Sequence, residues 1–150
     1  MQDMPALRSG DIVPGEGISI FRLGATWAEL RGTLIGAYAI QQRNGSFAVK
    51  TATLWFMIDE TDQTVIQITA VGRFRGQVAR QIGLGSTLDD VEEHLGRWSE
   101  DEDDCIVIAA VPGVCFEVGH VPGRNHEWQL HHAPIDYISV YDEHRGRVAA

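Results

Sequence analysis

Four histidines fall late in the chain, at His120, His126, His131 and His132, with Glu127 among them. Imidazole and carboxylate are both zinc ligands, and three or four of them make a site. Their spacing matches no compact metal signature, and Pro122-Gly123 and Ala133-Pro134 break the segment with turn chemistry. The expectation is a polar, surface-exposed hairpin insertion that titrates near neutral pH, without a metal or other cofactor. Gly83-Leu84-Gly85-Ser86 ahead of a helix could cradle a phosphate. It lacks the lysine of a P-loop and the third glycine of a dinucleotide fingerprint, and Asp89 and Asp90 in the next turn would repel an anion. No Gly-x-Ser-x-Gly elbow is present, and neither Cys105 nor Cys115 has an activating neighbour in sequence. Asp59/Glu60 and Asp142/Glu143 are adjacent on strand-like sequence. They therefore face opposite sides and form no acid/base pair. The chain reads as a non-enzyme.

What remains is a binding surface. Glu100, Asp101, Glu102, Asp103 and Asp104 form an unbroken run of five acids. Such a run repels itself and adds nothing to folding, but it suits a docking edge for a basic protein surface, where complementary charge speeds association and rejects wrong partners. Trp98 just before the run and Trp128 in the late insertion are candidate anchors. The expected partner-binding set is thus Trp98, Glu100 to Asp104, and Trp128. A net charge of −9, from 21 acids against 12 bases, argues against nucleic acid held through a basic patch. No apolar stretch approaches the roughly 20 residues that span a bilayer. The amino-terminal sequence shows no basic cluster followed by an apolar run, so the expected location is cytoplasmic.

The elements that position this surface are written in a repeat. Leu23-Gly24-Ala25-Thr26 aligns with Leu84-Gly85-Ser86-Thr87, from position 23 to position 84, an offset of 61 residues. A period of this size points to a duplicated supersecondary unit. Thr26 with Glu29, and Thr87 with Asp90, have the spacing of a capping box. Trp27, Leu30 and Leu34 then fall on one helical face, as do Leu88, Val91 and Leu95. Strands are expected over 37–43, 47–59 and 64–71, with an Asn44-Gly45 hairpin between the first two. Both faces of 47–59 are apolar, which predicts cover on both sides of part of it. In the second half the expected strands are 105–111, 114–120, 127–131 and 135–141. Residues 1–17 read as an extended lead-in, and 72–81, with Arg73, Arg75 and Arg80, as a connector. If Val111 faces Val114 across Pro112-Gly113, Cys115 faces Ala110 and Cys105 faces His120. The two sulfurs then lie apart along the ladder as reduced thiols. The architecture implied is α+β: a single domain over 1–150, with pseudo-repeats 18–71 and 82–142 and linker 72–81. The two tandem helix–antiparallel-meander units form one sheet, with helices packed on one side.

The repeated Leu-Gly-x-Thr start, carried here by Leu23 to Thr26 and Leu84 to Thr87, resembles the tandem units of beta-lactamase inhibitor protein-like folds and a similar unit in outer-membrane assembly lipoproteins. The opening Ile12-Val13-Pro14-Gly15-Glu16-Gly17-Ile18 with Leu23-Gly24 resembles small bacterial immunity proteins that neutralise secreted toxins. The chain lacks the export signal and lipid-bearing cysteine of the lipoproteins. The resemblance implies a cytoplasmic immunity protein that binds and occludes a cognate, basic toxin domain without catalysis. The alternative is a metal- or small-molecule-binding enzyme or sensor that uses the late histidines.

Overall fold

A computed structural model of the chain describes residues 10–119 and 127–146. It opens with β1 (Asp11–Val13), β2 (Gly17–Ile18) and β3 (Phe21–Arg22). There follow α1 (Trp27–Thr33), β4 (Ala39–Gln42), β5 (Ser46–Lys50), β6 (Leu54–Asp59) and β7 (Val65–Ala70). A second hairpin, β8 (Gln77–Val78) and β9 (Ile82–Gly83), leads into α2 (Leu88–His94), β10 (Trp98–Glu100), β11 (Ile106–Ile108), β12 (Val114–Val118), α3 (Glu127–His132) and β13 (Ile135–Tyr141). The fold is α+β, as the pattern predicts. The two meanders form one eight-stranded sheet, β10-β11-β12-β13-β7-β6-β5-β4, as expected, and a second, five-stranded sheet, β3-β2-β1-β8-β9, adds to it.

Apart from β1 and α3, which have no counterpart, the two halves share one order of elements. Each begins with a short hairpin, turns through a glycine in the left-handed region (Gly24, φ 87°; Gly85, φ 92°), and enters a seven-residue helix under a complete capping box. Each turn is stitched to the last strand of its own half. The Gly24 amide donates to the Val65 carbonyl at 2.8 Å, and the Gly85 amide to the Ile135 carbonyl at 2.9 Å. Four strands then form an antiparallel meander. Both meanders carry a bulge at the same place, between Met57 and Ile58 and between Glu117 and Val118. The halves meet where β7 pairs antiparallel with β13. There Thr69 faces Ser139, with their hydroxyls 2.7 Å apart and buried.

Strand alternation sorts the side chains. Phe56, Ile58, Ile68, Phe116, Ile138 and Val140 point to one face, where they form one core with Leu30 of α1, Leu88 and Val91 of α2, and Ile12, Ile18, Val78 and Ile82 of the small sheet. The helices and the small sheet thus share one side of the large sheet. The other side carries a smaller buried cluster of Ala48, Met57 and Ile66, with Gln67, Thr69, Cys115 and Ser139 also buried there.

Several expectations are corrected. Residues 47–59 are two strands. Thr51 Oγ1 accepts from the Leu54 amide at 3.0 Å and donates to the Leu54 carbonyl at 2.9 Å, closing a turn that has no glycine or proline to announce it. The described part of the lead-in and the connector are strands too: β1 runs parallel to β8. A Cβ on Gly76 would lie 2.0 Å from the Gly10 carbonyl oxygen, so glycine is what lets these two segments meet. Segment 127–131 is helical, not extended. The Gly119 amide bonds the Pro134 carbonyl at 2.9 Å, which closes the insertion at its base and holds it off the ladder. Alternating Trp128 and Leu130 imitate a strand there. Val107 faces Cys115, so the hairpin loop is longer than Pro112-Gly113 alone and the cysteine register shifts; the two cysteines are not joined in a disulfide, and both are buried.

The capping boxes make a first prediction. Thr26→Ala and Thr87→Ala should each cost about 1 kcal/mol, read as equal shifts in urea midpoint. The Thr26 backbone amide and then its hydroxyl hold the Glu29 carboxyl below the usual value. A depressed carboxyl pKa contributes stability above its unfolded value and loses it as pH falls through the folded one. In acid the Thr26→Ala penalty should therefore shrink.

Candidate functional site

The acidic run occupies the β10–β11 hairpin, at one edge of the large sheet. Asp101 shapes the turn: its Oδ1 accepts from the amides of Asp103 at 2.9 Å and Cys105 at 3.0 Å. Asp104 takes a positive φ of 63° to complete it. Glu102, Asp103 and Asp104 are exposed at the tip, and Glu100 is exposed on β10. Trp98 does not stand with them. It faces Ile108, packs on the core and meets the His131 ring edge-on at 5.1 Å. Its indole Nε1 is buried without a hydrogen-bond partner among the described residues. Trp98 is thus half-buried on the edge strand, with one side packed on the core. Trp128 lies in α3, and its side chain is outside the described residues.

His120 and His126 also lie outside the described residues. His131 and His132 close α3. Asp89 of α2 reaches both, at 2.6 Å to His131 Nδ1 and 3.7 Å to His132 Nδ1. One carboxylate thus ties the two helices together. Among the described residues no group of three potential metal ligands comes together.

The most extensive surface is the face of the large sheet turned away from the helices. One row crosses all eight strands: Ser99, Val107, Cys115, Ser139, Thr69, Trp55, Lys50 and Ala39, each directly opposite the next. Its centre is low and small: Cys115, Ser139 and Thr69 are 1%, 2% and 3% exposed. Taller side chains rise beside it. Trp55 packs against Tyr137 at 5.6 Å between ring centroids, and Lys50 Nζ sits 4.2 Å over the Trp55 ring, a cation–π contact. A cleft of about 570 Å³ opens beside this pair, walled by Ala52, Gly72, Gly85, Pro134 and Asp136. The expectation of cover on both sides of part of 47–59 holds: Ala48 and Met57 on this face are 1% and 6% exposed, and Val49 and Phe56 on the other face are fully buried. Trp55 and Tyr137 were missed in sequence. The polar Gln67, Thr69 and Ser139 that alternate with core residues on β7 and β13 are 3%, 3% and 2% exposed, so that alternation does not mark an open face.

No protein-family model matches the chain, and no curated protein matches it. Among solved structures it is similar to the uncharacterized protein yfeY from Escherichia coli, at 10% identity and a TM-score of 0.54, over 91% of this chain and 99% of that one. At that identity the likeness concerns the fold alone. No helix among the described residues is long and apolar enough to cross a membrane.

Proposed function

We propose that the chain is a non-catalytic, cytoplasmic immunity protein that occludes a bacterial toxin domain by laying the Trp55–Tyr137 side of its large sheet and its acidic edge against it. The observation that supports this reading is the half-buried pair of Trp55 and Tyr137, which stands beside the buried Cys115, Ser139 and Thr69 on the sheet face turned away from the helices. Eight strands and five residues per strand span about 34 by 17 Å, of the order of the roughly 800 Å² that one partner contributes to a stable complex. Aromatic side chains at the centre of such a surface supply binding energy. Glu102, Asp103 and Asp104 at its edge, in a chain of net charge −9, favour a basic partner. Inhibition requires only that the partner's cleft be covered. The duplicated unit serves this purpose by widening one sheet into a single rigid platform.

The test is co-expression with a toxin domain encoded beside the gene. A 1:1 complex by light scattering and restored growth are expected. Full toxicity with no complex would contradict the reading.

A further inference from the structure

The two edges of the large sheet differ. β10 runs into five acids, whereas β4 has none: residues 36–42 read Gly-Ala-Tyr-Ala-Ile-Gln-Gln without a charge. All four residues of β4 are exposed, and β5 is its sole neighbour in the sheet. An uncharged, unbulged edge without proline is a template for another strand. The large apolar side chains that remain exposed gather beside it: Ile35 at 96%, Ile20 at 59%, Ile40 at 55% and Tyr38 at 38%. Ile20, Ile35, Leu34 and Leu54 line a groove of about 440 Å³. Grouped apolar exposure of this kind marks an interface.

We infer that β4 pairs with β4 of a second copy of this chain, antiparallel and centred on Ile40, joining two eight-stranded sheets edge to edge. The register is self-complementary. Ile40 would face its twin on the helix-bearing side, since it is opposite the core residue Val49. Ala39 would face Gln41, and Tyr38 would face Gln42. Such an isologous contact closes on itself as a two-fold dimer. Charge placement permits it as well. The acidic hairpin is at the far edge of the sheet, seven strand spacings or about 34 Å away. The two acidic tips of a dimer would thus be about 70 Å apart, many times the roughly 8–10 Å screening length at physiological salt. The fold already contains this joint once, where β7 and β13 pair antiparallel with Thr69 facing Ser139. Because the two-fold axis stands perpendicular to the joined sheet, both Trp55–Tyr137 faces would lie on the same side and present two partner sites.

The experiment is the solution mass of the full chain across about a hundredfold range of concentration, since association is governed by mass action. The expected mass is twice the 16.6 kDa chain. Ile40→Lys, which places two ammonium groups together at the two-fold axis, should weaken the dimer at least tenfold. Ile35→Ser, which removes apolar cover without adding charge, should weaken it less. Both should leave the circular dichroism spectrum unchanged, because both side chains are exposed, and should lower the thermal midpoint only by what the weakened dimer contributes. A mass of one chain at every concentration would overturn the proposal, as would a dimer indifferent to Ile40→Lys. So would a monomer that loses toxin binding on Ile40→Lys, which would give the edge to the partner's strand instead.

Discussion

Phe56→Ala and Phe116→Ala should each remove about 3–5 kcal/mol, the range for deleting a fully buried aromatic ring. Both rings are 0% exposed and occupy corresponding positions, Phe56 opposite Ile68 and Phe116 opposite Ile138. These strands flank the β7–β13 seam, so each ring packs into the core shared by both halves. Phe56 also meets Phe21 edge-on at 5.0 Å, which places its loss at the upper end of the range. One continuous core unfolds as a unit. Either substitution should shift a single urea transition, with fluorescence and circular dichroism coincident and the slope unchanged. Two separate transitions in either variant would mean that the halves are independent domains.

Trp55→Ala should weaken toxin binding about 30- to 150-fold, the 2–3 kcal/mol carried by a central aromatic anchor, through faster dissociation. The same substitution should barely move the thermal midpoint, because Trp55 faces away from the main core and touches only Tyr137 and Lys50 among rings and cations. That separation of binding from stability identifies a surface anchor. Reversing Glu102, Asp103 and Asp104 to lysine acts differently. It should slow association and flatten its dependence on salt, with little change in dissociation rate, as rim charges do. Titration calorimetry and stopped-flow mixing at two salt concentrations separate the effects. Unchanged affinity in Trp55→Ala would remove the Trp55–Tyr137 face from the interface.

The parts of the fold that were legible in sequence are those with local causes. The capping boxes, the Asn44-Gly45 hairpin with Gly45 at φ 82° and the repeated glycine turns each rest on a few neighbouring residues. The small sheet was not legible, because β1 and β8 are three- and two-residue strands brought together across more than sixty positions by a close approach of Gly10 and Gly76. The turn at Thr51 was hidden because a threonine side chain made it. For the candidate site, the acidic run was visible as composition, and its shape was not. Asp101 spends its carboxylate on the turn, and Trp98 turns inward, since β10 is covered by α2 and α3 on that side. Trp55 and Tyr137 are 82 positions apart in sequence and meet because β6 and β13 flank β7. No local pattern encodes that meeting.

The most direct test is hydroxyl-radical footprinting of the chain alone and with the toxin domain encoded beside it. Trp55 and Tyr137 on the face turned away from the helices should be protected in the complex, while Trp27, which packs against the core on the helix side, keeps its reactivity. Protection of Trp27 with Trp55 and Tyr137 unchanged would contradict the account, because the partner would then sit on the helices and not on the sheet.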